Sequence, residues 1–216
     1  MVAESALPID RLSARSGMPR RPGARAMKTR ARLLAVTADL LDEVPFRELT
    51  SAIVTQRVGL SAPAFYRYFA DINDALAACA DSMAETVQEI AAVVAQRSWR
   101  KQHAIESALE VIDALAVFWQ RHRSLYRVTD LLADEGEPRF AEIKRYTFEP
   151  LTQAFGTVMA EVPGRDSRVA AGVVVASLVH VTARESGFVS GGIGAVVLRR
   201  HLADQVAVMV TGARPR

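Results

Sequence analysis

The twenty residues 50–69, TSAIVTQRVGLSAPAFYRYF, constrain the chain more than any other stretch. Val54 and Val58 are four apart and share one face of a short helix. Gly59 supplies the positive φ that a tight helix-to-helix turn requires, and Leu60 is the apolar plug of that turn. Ser61 stands where a second helix needs its N-cap, and Pro63 falls in the first turn, where a missing N–H costs nothing. Phe65 and Phe69, again four apart, turn that helix back onto its neighbours. The spacing leaves Ala62, Ala64, Tyr66, Arg67 and Tyr68 on or near the outer surface. Two helices joined at a glycine turn, the second with an exposed polar-aromatic face, are the helix-turn-helix arrangement that enters a DNA major groove. An ordinary αα-hairpin has the same pattern, so the flanking sequence has to decide between them.

The flank is basic. Residues 1–32 hold Arg11, Arg15, Arg20, Arg21, Arg25, Lys28, Arg30 and Arg32 against only Glu4 and Asp10. Eight of 27 bases and two of 24 acids thus put +6 on this arm and leave −3 on the rest of a +3 chain. That asymmetry points to one polyanion-binding end, although a solubilising tail has the same composition. Residues 1–26, rich in Pro, Gly, Ser and Arg, are expected to be disordered when free.

Beyond the arm the periodicity is helical and strand-like alternation is scarce. The expected helices are 28–43, ending before Pro45, then the pair above, a long helix 72–96, and helices 101–122 and 125–133. A helix 139–161, kinked near Pro150 or Gly156, is followed by 165–186 and 196–211. The lone Cys79 excludes an internal disulfide and suits a reducing cytoplasm. The N-terminus lacks the apolar run of a signal peptide, and the most apolar stretch, 169–183, is too short and polar to span a membrane.

Residues 28–76 resemble the DNA-binding domain of TetR-type transcriptional regulators. The resemblance is carried by Leu33, Leu34, Ala38, Leu40 and Leu41 in the first helix, Gly59-Leu60-Ser61 at the turn, and Tyr66, Tyr68 and Phe69 after it. The sequence departs from that pattern at Pro45, where the family usually has Gly, at Leu49 for Thr and at Ala62 for Lys. Its link 70–74 is also longer and acidic. The resemblance implies an all-α protein, with an N-terminal three-helix DNA-binding domain containing the helix-turn-helix and a C-terminal helical ligand-binding and dimerisation domain. The boundaries expected are 1–26 for the arm, 27–71 for the DNA-binding domain and 72–216 for the effector-binding and dimerisation domain.

On this reading Thr50, Tyr66, Tyr68, Lys28 and Arg30 contact phosphates. Ala62, Pro63, Ala64 and Arg67 face the groove, assisted by Gln56 or Arg57. Phe118, Trp119, Tyr126, Phe148, Phe155 and His180 are the candidate lining of an apolar effector cavity, or else plain core. The last two helices carry more apolar residues than one face can bury, which calls for a covering partner. The resemblance places a two-fold dimer interface there, and Val174, Leu178, Val181, Leu198, Leu202, Val206 and Met209 are the residues expected in it. Scattered histidines and the lack of a phosphate loop or nucleophile elbow give no case for an enzyme, a metal or a cofactor. The expected function is a cytoplasmic, homodimeric regulator, a repressor released from a palindromic DNA operator by a small lipophilic effector. The rival is a small-molecule-binding or protein-interaction module without sequence-specific DNA binding.

Overall fold

The computed structural model describes residues 23–162 and 166–212, so much of the basic arm and Pro163-Gly164 lie outside the described residues. Among those described there are ten α-helices and no strand. Helix α1, Ala24–Glu43, begins four residues earlier than expected, so residues 24–26, assigned to the arm, are helical. It buries Leu33, Thr37, Leu40 and Leu41 along one stripe. It stops where Pro45 forces Val44 into extended backbone, at φ −128° and ψ 150°.

Helices α2, Ser51–Val58, and α3, Ala62–Phe65, form the pair that the glycine turn predicts. Gly59 has φ 74°; its amide bonds the Gln56 carbonyl and that of Leu60 bonds Thr55. This is a Schellman closure, available only to a residue that tolerates the left-handed region. Val54, Val58, Phe65 and Phe69 are all buried, as their spacing requires. Ser61 stands at the N-cap of α3, but its side chain makes no capping bond.

Helix α4, Ile72–Gln96, leaves the head and runs on through the body. Asp71 caps it by accepting from the Asp74 amide, and Asp74 accepts from Ala70. The supposed acidic link is therefore two residues plus the first turn of a helix, where acids suit the exposed N–H groups and the dipole. Helix α5, Ala104–Asp134, is one continuous helix of 31 residues rather than the two expected. The polar residues at the expected break are individually partnered. His122 meets Thr86, Arg123 donates to the Ala183 carbonyl, and Ser124 donates to Asp42.

Conversely, 139–161 is two helices, α6, Pro138–Tyr146, and α7, Glu149–Met159. The ring of Pro150 excludes a helical carbonyl at residue 146, so the break precedes the proline and Gly156 causes none. Helices α8, Ser167–Ala183, α9, Glu185–Ser190, and α10, Ala195–Thr211, close the body. The short α9 replaces the C-terminal end of an expected longer helix, and its Glu185 holds Arg199 of α10 through Nε at 3.1 Å and 3.0 Å.

Four of the seven expected dimer residues are buried within the subunit itself. Val174, Leu178 and Val206 are fully buried and Leu202 is 8% exposed, all within one subunit. Val181, Leu198 and Met209 are half-buried. The apolar side chains left open on α8 and α10 are instead Val169, Val173, Val196 and Val197, at 63%, 52%, 82% and 67% exposure. Both helices are apolar around much of their circumference, so periodicity alone does not say which side chains stay open. Leu178→Glu is therefore expected to unfold the subunit, costing on the order of 4 kcal/mol or more, because the carboxylate has no water or partner there. Thermal denaturation followed by circular dichroism checks this, with Val117→Glu, at a 50% exposed position of α5, as the tolerated control.

Candidate DNA interface and effector region

The open end of the helix-turn-helix is organised by hydroxyl groups. Thr50 caps α2, its Oγ1 accepting from the Ile53 amide at 3.3 Å. Ser51, the first residue of α2, lies with its Oγ 3.1 Å from the Tyr66 hydroxyl. Tyr66 is 59% exposed, its ring held edge-on to Phe65 at 5.7 Å. Three hydroxyls thus gather at the positive end of α2, a setting that suits a phosphate. Ser51 was missed by sequence reasoning; its place directly after an N-cap threonine was the available signal.

The remaining candidates divide. Ala62, Pro63, Gln56 and Arg67 are exposed, and Tyr68 is half-buried with the Arg67 guanidinium 6.0 Å from its ring centre. Ala64 is only 7% exposed, which removes it as a groove contact; it faces inward beside Phe65. Arg57 is tied to Glu43 of α1 by two bonds of 2.9 Å and 2.7 Å. That pair raises the Arg57 pKa, holds the Glu43 carboxyl below the usual range, and leaves the side chain committed to α1. Lys28 is exposed on α1, and Arg30 places its guanidinium 5.2 Å from the Phe69 ring centre.

In the body, Phe118, Trp119, Tyr126 and Phe148 come together. Ring centres lie 4.9 Å apart for Phe118–Trp119, 5.2 Å for Trp119–Tyr126 and 5.5 Å for Phe118–Phe148. The Trp119 indole donates to Thr182 Oγ1 at 2.8 Å. Phe155 is not part of this group; it packs on Trp99 at 5.2 Å. His180 is exposed, with Arg184 donating to its Nδ1 at 3.1 Å, and it stands apart from the aromatic group. A cleft of about 800 Å³ does open beside Trp99, Val158 and Val210, and one of about 310 Å³ lies between α4 and α6. Neither is lined by any of the six residues proposed from sequence.

His122 is the polar member of the cluster. It is buried, tilted on Phe118 at 5.1 Å, with Nε2 3.0 Å from Thr86 Oγ1. Thr86 already donates to the Ser82 carbonyl, so its oxygen accepts from the His122 Nε2–H. Burial first, and the charge of Arg121 second, lower the His122 pKa from its ordinary 6.5. A lowered folded-state pKa means the unfolded chain takes the proton first. Stability is therefore present above about pH 6.5 and lost as pH falls through the folded-state value. His122→Gln should flatten that acid-side loss in a melting series against pH.

These features agree with comparisons against known proteins. A family model described as tetracycline repressor-like, C-terminal domain, matches residues 90–216. No curated protein matches the chain. Among solved structures, a TetR-family regulator from Mesorhizobium loti is 14% identical and superimposes with a TM-score of 0.68, covering 87% of this chain and 98% of its own. The fatty acid degradation regulator FadR from Bacillus halodurans, 14% identical, gives 0.63 over 91% of this chain and 100% of its own. FadR from Bacillus subtilis, solved with stearoyl-CoA, is 13% identical and gives 0.61 over 85% and 99%. The likeness to these structures is one of fold. With most of its length matched by the family model, and with a helix-turn-helix at its head, the chain belongs to the TetR family of transcriptional regulators.

Proposed function

We propose that this regulator is a dimeric repressor that leaves a palindromic operator when a small lipophilic effector enters its body. The observation that carries the DNA assignment is the cluster of Thr50, Ser51 and Tyr66 hydroxyls at the open end of α2. A phosphate seated there receives the α2 amides and up to three hydroxyl donors, which fixes α3 against the groove. Tyr68, Lys28 and Arg30 extend the backbone contacts, and Ala62, Pro63 and Arg67 face the bases. The head is taken as residues 27–71 and the effector and dimerisation body as 72–216, acting in the cytoplasm by binding rather than catalysis. Among the described residues no helix is long and apolar enough to cross a membrane.

A second subunit is the covering that the exposed valines of α8 and α10 require. Val169 and Val173 of α8 and Val196 and Val197 of α10 are open apolar side chains of the kind a two-fold helical interface would cover. The aromatic group of Phe118, Trp119, Tyr126 and Phe148 is the apolar surface on which the effector reading rests. FadR of Bacillus subtilis holds an acyl chain, which makes long-chain amphiphiles the first compounds to screen.

The test begins with a duplex selected by genomic footprinting. Tyr66→Ala should weaken binding while dimerisation and helix content stay intact, and unchanged affinity in an anisotropy titration would reject the docking. Arg67→Ala should cost about 1–3 kcal/mol on the selected sequence and less on others if it reads a base. Deleting residues 1–22 should flatten the dependence of log affinity on log salt, because fewer counterions are released. Val197→Glu should shift the protein to monomer in sedimentation, and an intact dimer would place the interface elsewhere.

A further inference from the structure

The cleft at the C-terminal end of α4, at the other end of that helix from the head, has a divided lining. Its volume of about 800 Å³ lies within the range of small-molecule sites. Val158 of α7, Val162 just beyond it and Val210 of α10 supply an apolar surface. The loop between α4 and α5 supplies Trp99 and the cations Arg97, Arg100 and Lys101. None of Phe118, Trp119, Tyr126 and Phe148 lines it, so the cleft is separate from the aromatic group.

The loop is fixed from within. Ser107 Oγ donates to the Ser98 carbonyl at 2.8 Å, and the His103 and Ala104 amides donate to the Arg100 carbonyl at 2.8 Å and 2.9 Å. Trp99 is held twice: its Nε1–H donates to the Val94 carbonyl at 2.9 Å, and the buried Phe155 packs on it in an edge arrangement at 5.2 Å. The indole is nonetheless only half-buried. Arg97 is committed to Glu110 of α5. Arg100 and Lys101 are both exposed, and neither side chain has a hydrogen-bond or ion-pair partner among the described residues. The same is true of Glu161, the one carboxylate among the described lining residues. With Arg97 discounted, two uncommitted cations stand against one acid.

We propose that this cleft binds an amphipathic monoanion, with its charged group on Arg100 and Lys101 and its apolar body over Trp99, Val158, Val162 and Val210. The negative ends of α7 and α10 border the cleft and favour cations there, but they do not account for an anchored indole left half-open beside those cations. A neutral lipophile would leave the cations unused, and a bare inorganic anion would leave the apolar surface wet. Glu161 repels a second negative charge, which favours a monoanion over a dianion. The fixed loop spares the ligand the cost of ordering it. The site goes beyond the regulator reading above and needs neither DNA nor the dimer.

The test uses the full chain grown with fluorotryptophan. Its two tryptophans give two fluorine resonances, assigned with Trp99→Phe. Sodium decanoate is titrated below its micelle concentration, with decanol and decyltrimethylammonium as its neutral and cationic counterparts of equal chain length. Decanoate should move the Trp99 resonance saturably, leave Trp119 in place, and bind at least about fivefold more tightly than decanol. Arg100→Gln combined with Lys101→Gln should weaken decanoate about tenfold and leave decanol unchanged. The melting temperature should stay at the parent value, since neither side chain has a partner to lose. Equal affinity for decanoate and decanol overturns the proposal, as does a double variant that holds decanoate like the parent. Tighter binding of decyltrimethylammonium overturns it too, because Glu161 would then be the recognising charge. Movement of the Trp119 resonance alone also overturns it, and would put the ligand in the aromatic group, as the effector reading expects. The DNA titrations above can fail without altering this result, and this result can fail without altering them.

Discussion

Helix α4 is the member on which the rest of the protein depends. Its 25 residues span about 37 Å as a single rod whose backbone hydrogen bonds are internal. The first turns bury Ala75, Leu76 and Cys79, with the Cys79 thiol donating to the Leu34 carbonyl of α1 at 3.4 Å. The later turns bury Met83, Val87, Ile90 and Val94 in the same continuous hydrophobic cluster as α5, α7, α8 and α10. Head and body thus share one helix and one core. On the proposed function, a change in the body would have to reach the head through this rod, since a close-packed core switches between arrangements and does not deform smoothly.

The polar contacts around α4 follow from that constraint. Ser124–Asp42 joins α5 to α1, and Arg139–Asp74 joins α6 to the top of α4, so the head is tied to the body at two further points. Thr86–His122 links the middle of α4 to the aromatic cluster on α5. The Ser124–Asp42 and Arg139–Asp74 contacts lie where water still competes, which keeps each individually weak, whereas His122 is buried. The apolar core supplies cohesion and these side chains supply direction. That division suits a regulator, whose head must hold one pose firmly and yield to another at modest cost.

Much of the head was legible in the sequence. Gly59 fixes its turn by backbone sterics, Pro45 ends α1 through its effect on Val44, and the four-residue spacings of Val54–Val58 and Phe65–Phe69 bury as read. Tyr66, Arg67, Ala62 and Pro63 are outward as expected. The failures there are instructive. Ala64 is too small to announce which way it faces, and it faces in. Arg57 is long and looked free, but Glu43, fourteen residues earlier, claims it. Ser51 was overlooked because its partner, Tyr66, is fifteen residues away.

The body shows where sequence reasoning stops. Helical periodicity determines which residues share a face, and so it determined that this chain is all-helical and where most helices lie. It does not determine how far each helix is rotated about its axis against its neighbours. On α8 and α10, apolar nearly all round, that rotation put Leu178 and Leu202 inside the subunit and left Val173 and Val197 open. The same freedom brought Phe118, Trp119, Tyr126 and Phe148 together while sending Phe155 to Trp99 and His180 to the surface. Local sterics and spacing, which depend only on near neighbours in the chain, were fixed by the sequence itself. Facing and partnership depend on which distant side chains compete for the same space, and only the packed tertiary structure decides them.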